Sequence, residues 1–86
     1  MAKSRDTTLT LDRDVALVLF DFLSRNADEE EGEPLAEALQ SRAELPALWS
    51  LLAELEEKLD EPLADDYRRL VEEARARVIA KYGGAP

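Results

Sequence analysis

Leu45-Pro46-Ala47-Leu48-Trp49-Ser50-Leu51-Leu52-Ala53-Glu54-Leu55-Glu56-Glu57-Lys58-Leu59 is the stretch on which the fold turns. Its leucines at 45, 48, 52, 55 and 59 recur at intervals of 3, 4, 3 and 4, the spacing that aligns side chains on one face of an α-helix. Trp49 and Leu51 flank the stripe. Asp60-Glu61-Pro62 closes it, because the residue before a proline is pushed out of helical space. A helix over 46–59 follows. Its upstream edge has two readings, a new helix opening near Leu45-Pro46 or one longer helix kinked there. Ser41-x-x-Glu44 resembles a capping box beside a proline that breaks helical hydrogen bonding, and the break is preferred.

Working outward, a short helix over 34–42 precedes the stripe, with Pro34 suited to a first helical position and Leu35, Ala38 and Leu39 on its inner side. Asn26 to Glu33 reads as a loop, punctuated by Gly32 and Pro34. Upstream, Asp12 has the position of an N-cap, with Leu11 and Ala16 at the two staple positions. The helix it opens spans 13–25. Its residues Val15, Ala16, Val18, Leu19, Phe20, Phe22 and Leu23 spread over an arc of roughly 200°, leaving a polar strip of Asp14, Asp21, Ser24 and Arg25 bordered by Leu17. A helix so apolar needs cover on more than one side. After the stripe, Asp65 and Asp66 favour a helix start. Tyr67, Leu70, Val71, Ala74, Val78 and Ile79 then line one face of a helix over 65–82, which Gly83-Gly84 stops.

The expected fold is therefore all-α, a small up-and-down bundle of three main helices (13–25, 46–59 and 65–82) plus the short one at 34–42. Residues 7–11, Thr-Thr-Leu-Thr-Leu, alternate and are read as a short extended piece with no obvious strand to pair with. Residues 1–6 form a polar leader, 7–82 the single domain and 83–86 a tail. No internal repeat is present.

Composition narrows function. The 86 residues contain no cysteine and no histidine, which removes serine and cysteine triads, tetrahedral zinc sites and the Glu-x-x-His di-iron site of helical bundles. A chain without those groups is expected not to be an enzyme and to need no cofactor or metal. The longest apolar run, Val15 to Phe20, has six residues, too few to span a membrane. No signal-peptide pattern follows the charged start, so the expected compartment is the cytoplasm.

The net charge of −9 is unevenly distributed: residues 1–25 sum to zero, 26–33 carry −5, 54–66 carry −6, and 67–86 carry +3. Such a field repels phosphate backbones and anionic lipid, so neither nucleic acid nor membrane is an expected partner. A basic protein is the natural complement, and a second copy of the chain is the alternative. The candidate partner-binding residues are Asp28, Glu29, Glu30, Glu31 and Glu33 in the loop, with Glu54, Glu57 and Glu61 in a second acidic cluster. Against this stands the plainer reading that acidic runs are solvated. The loop lacks the Asp-x-[Asp/Asn]-x-[Asp/Asn]-Gly pattern of a calcium site. Paired carboxylates for acid/base work would need burial, which nothing in the second cluster suggests. Trp49 is either an interface anchor or, in the preferred reading, a ring capping the core. Arg68, Arg69, Arg75, Arg77 and Lys81 are expected to pair within their own helix with Glu72 and Glu73 rather than form a basic stripe. An acyl-carrier role would need a serine in an Asp-Ser-Leu context, and Ser4, Ser24, Ser41 and Ser50 are not in one.

From Leu9 to Val78 the chain resembles a group of small uncharacterised acidic helical proteins of bacteria. The residues carrying the likeness are Leu9-Thr10-Leu11, the run Ala16 to Leu23, Ala47-Leu48-Trp49 with Leu51, Leu55-Glu56, and Glu61-Pro62 followed by Tyr67, Leu70, Ala74, Arg75 and Arg77. The resemblance implies a compact helical fold and brings no activity with it. Taken together, these features make a protein-interaction module the leading expectation, in the manner of an immunity or antitoxin inhibitor or an accessory subunit. Immunity proteins of bacterial nucleases share its size, acidity and helical build, an analogy at the level of fold. The alternative is a structural homo-oligomer joined through the apolar faces of the first helix and the leucine-stripe helix.

Overall fold

A computed structural model describes residues 5–84, and the outer parts of the leader and tail, 1–4 and 85–86, lie outside the described residues. The three main helices are α1 (Arg13–Leu23), α2 (Glu44–Lys58) and α3 (Tyr67–Tyr82). No strand occurs among the described residues, and residues 7–11 run exposed ahead of α1 without a ladder partner.

Asp12 caps α1 as its sequence position predicts, its carboxylate accepting the Asp14 N–H at 2.8 Å. The broad apolar arc of α1 has the consequence expected of it. The helix lies between α2 and α3, packing against both, while those two touch each other little. Ala16, Leu17, Phe20 and Leu23 are buried from α1, Leu52, Leu55 and Leu59 from the leucine stripe, and Val71 and Ala74 from α3. Burial of each large side chain contributes roughly 1.5–3 kcal/mol. The order of contacts is reversed along both interfaces. Trp49, early in α2, meets Ala27 beyond the end of α1, and Lys81, late in α3, meets Asp12 at its start.

Four boundaries move. The first helix does not stop at Arg25 but widens into a π turn over Ser24–Asp28, where the Glu29 N–H reaches back to the Ser24 carbonyl. The wider turn carries Ala27 to complete burial, which the loop predicted from Asn26 did not foresee. The short helix predicted at 34–42 is replaced by tight 3₁₀ winding within Glu29–Ala38, ending in an extended Leu39 (φ −81°, ψ 132°). The reason is that Glu30, Glu31 and Gly32 are all left-handed, with φ of 51°, 53° and 82°. Pro34 then has too few residues after it to offset the cost of nucleating an α-helix. Gly32 is required where it stands: a Cβ there would lie 2.7 Å from both Leu45 methyls, in a backbone conformation that glycine alone adopts without strain. The acidic loop is thus seated on the bundle through a buried glycine.

The break before the leucine stripe is present. Ser41 Oγ accepts the Ala43 N–H at 3.1 Å and the Glu44 carboxylate accepts the Gln40 N–H at 2.7 Å, so serine and glutamate both serve the helix start. The helix then runs 44–58 rather than 46–59, with Pro46 in its first turn, where a missing N–H costs nothing. Between α2 and α3, Glu61–Leu63 makes a tight turn. The last helix starts at Tyr67, two residues later than predicted, because Asp66 directs its carboxylate to Arg69 instead of capping. Gly83, at φ 82°, terminates it with its N–H on the Ile79 carbonyl at 2.8 Å. No helix among the described residues is long and apolar enough to cross a membrane.

Candidate partner-binding surface

The charged side chains divide into two populations. Between α1 and α3 they pair across the interface. Lys81 donates to Asp12 at 2.8 Å. Arg77 forks onto both oxygens of Asp14 at 2.9 and 3.0 Å. Arg75 donates to Asp21 at 2.9 Å while a second of its nitrogens meets Glu72. The expected pairing within α3 is present in Arg69–Glu73 and Arg75–Glu72, but Arg75, Arg77 and Lys81 also reach α1. The polar strip of α1 and the positive charge of α3 are two halves of one ionic seam.

Asp21 is its centre and the only buried charged residue among those described, 9% exposed. One oxygen accepts the Tyr67 hydroxyl at 2.9 Å, and the other accepts Arg25 and Arg75, each at 2.9 Å. Burial acts to raise the carboxyl, but the hydrogen bonds from Arg25 and Tyr67 and the charges of Arg25 and Arg75 outweigh it and hold the group below its ordinary value. Burial, together with the bond to that carboxylate, pushes the Tyr67 phenol above its own. The Tyr67 ring stands edge-on to Phe20 at 6.4 Å, so the seam is tied to the core. Asp21 appears in the sequence only as part of a polar strip. Arg25 is a local partner four residues on, but Tyr67 and Arg75 lie 46 and 54 residues away, and local spacing carries no signal of those two.

The other population is largely unpaired. Residues 26–58 hold ten carboxylates against Arg42 and Lys58, a net −8 of the chain's −9. Asp28, Glu29, Glu30, Glu31 and Glu33 are all exposed, and none makes an ion pair among the described residues. Glu54 and Glu57 are exposed on α2, the former 3.7 Å from Lys58. Glu61 stands apart. Both its oxygens accept from Arg13 at 2.8 Å, and that hydrogen-bonded pairing lowers its carboxyl. It braces the α2–α3 connection against the start of α1.

Trp49 combines features of both predicted roles. Its indole N–H donates to the Ala27 carbonyl at 2.6 Å, pinning α2 to the π turn, yet the side chain is 41% exposed. Because Ala27 directly precedes Asp28, this bond places an open aromatic surface at the root of the acidic loop. Among the described residues no group of three or more carboxylates is arranged to hold a metal ion. The surface offers fixed negative charge and an aromatic face. No protein-family model, curated protein or solved structure matches the chain, so the functional reading rests on this geometry.

Proposed function

We propose that the chain is a protein-interaction module that presents residues 26–58, with Trp49 beside the acidic loop, to a basic protein partner, as an inhibitor of the immunity or antitoxin kind or as an accessory subunit. One observation carries the reading. The fold neutralises its carboxylates along α1 and α3 and leaves the five of the loop without cations, while those of α2 have only Lys58, beside Glu54. Concentrated unpaired charge speeds encounter and selects partners of opposite sign. A half-exposed tryptophan held by its edge is the kind of residue that anchors an interface and that stacks on an arginine or lysine. In this reading the chain acts by contact and performs no catalysis.

The test uses the chain as bait at low ionic strength, beside a variant in which Asp28 becomes Asn and Glu29, Glu30, Glu31 and Glu33 become Gln. The expected outcome is one basic protein retained in stoichiometric amount by the natural chain, released by salt, and lost from both the variant and Trp49→Ala. Equal retention by the natural and neutralised chains would overturn the proposal. Self-association is the weaker alternative. The inner faces of α1 are already covered by α2 and α3, leaving Phe22, 43% exposed, as its one exposed large apolar residue. A single sedimenting species of dimer mass would revive it.

A further inference from the structure

A cleft of ≈ 490 Å³ opens between α1 and α3 on the flank of the ionic seam, within the size range of small-molecule sites. Phe20, Val71 and Pro62 give it an apolar wall, and Arg25, Arg68 and Tyr67 stand around it. The arginines are the unusual part. Of the five cations of α3, Arg68 alone has no ion-pair partner among the described residues. Arg25 commits only its Nε, to Asp21, so both terminal nitrogens are unspent. Asp21 pairs with both Arg25 and Arg75, which fixes the Arg25 guanidinium before any ligand arrives. Glu72, on the same cleft, is already neutralised by Arg75. Glu29 is there without a cation, so a doubly charged ligand would meet repulsion.

We propose that this cleft binds a small monocarboxylate with an apolar body, its oxygens on Arg25 and Arg68 and its body against Phe20, Pro62 and Val71. Guanidinium groups suit the planar carboxylate, donating two N–H groups in parallel, and the apolar wall selects against acetate-like ions that would leave it bare. The site is separate from the proposed protein-binding surface except at Glu29.

3-Phenylpropionate is the probe, with 3-phenylpropanol as its neutral counterpart, and the arginine Nε–H and Tyr67 resonances are followed by NMR. The expected result is saturable movement of the Arg25, Arg68 and Tyr67 signals with the acid, little with the alcohol, and binding weakened about tenfold or more by Arg68→Gln, as expected for loss of a charge-assisted pair. Arg68 supports no other residue, so its replacement leaves the fold intact, and Arg42→Gln, on the far segment, should bind as the natural chain does. Three outcomes would overturn the proposal: no saturation, equal binding of acid and alcohol, or an Arg68→Gln chain that binds the acid unchanged.

Discussion

α1 has two neighbours and is held to them by different physics. Towards α2 the contact is dry: Leu52, Leu55 and Leu59 of the stripe join the buried cluster that α1 supplies with Ala16, Leu17, Phe20 and Leu23, and the indole bond from Trp49 to Ala27 is the main polar link. Towards α3, Val71 and Ala74 join the same cluster and Phe20 meets Tyr67 edge-on, but Asp12, Asp14 and Asp21 add ion pairs with the cations of α3. Dispersion and water release are indifferent to which apolar residue sits opposite, whereas an ion pair demands one partner in one geometry. The stripe buries three leucines where α3 buries Val71 and Ala74, and the seam sets how α3 is oriented on α1. It also consumes the cations, which is why the loop and α2 are left with the net charge.

The dry interface should be the more costly to damage. Leu52, 4% exposed, has no polar group to rescue its loss, and Leu52→Ala is expected to destabilise by about 3 kcal/mol. Urea unfolding should show this loss equally at low and high salt. A loss that shrank markedly with salt would mean that the two interfaces are not separate in kind.

The seam should fail on acidification. Asp12 and Asp21 in the seam, and Glu61 and Asp66 outside it, all have lowered carboxyl pKa values in the fold. For Asp12 the main cause is the hydrogen bond from Lys81, for Glu61 that from Arg13 and for Asp66 that from Arg69, while in Asp21 Arg25 and Tyr67 overcome burial. A carboxyl lowered on folding contributes stability that is present above its unfolded value near 4 and lost as the pH falls through the folded value. Unfolding free energy should therefore decline below about pH 5. Asp21→Asn should lower stability at neutral pH by about 2 kcal/mol, discounted from a fully buried pair because both arginines are partly exposed. It should also flatten the acid decline. An unchanged pH profile would show that Asp21 is not the centre of the seam.

The smallest effect tests the single polar link on the dry side. Trp49→Phe keeps the ring and removes the N–H, and should cost about 1 kcal/mol while increasing amide hydrogen exchange at Ala27 and in the π turn. Unaltered exchange there would separate the indole from the positioning of the acidic loop.

The leucine stripe was legible because its 3-and-4 spacing is a local property, and so were the Asp12 cap, the stop at Gly83 and the break before α2. The carboxylates of the loop were visible as composition. What was not visible was that the loop is seated: Gly32 is recognisable as a turn residue, but its burial under Leu45 depends on α2 arriving there. The same holds for the predicted helix at 34–42, whose periodicity was real but too short to prevail over three left-handed residues. Glu61 looked like one more surface acid until Arg13, 48 positions earlier, was brought against it.

By itself, then, the order of residues settled which segments coil, which faces are apolar, and that imidazole and thiol chemistry is absent, since each follows from neighbours within a few positions or from composition. Only the packed chain decided which charges cancel and which remain. Cancellation depends on distances between groups tens of residues apart, which no local pattern encodes, and it is that remainder, the free carboxylates around Trp49 and the unspent arginines beside Asp21, that gives the molecule its candidate surfaces.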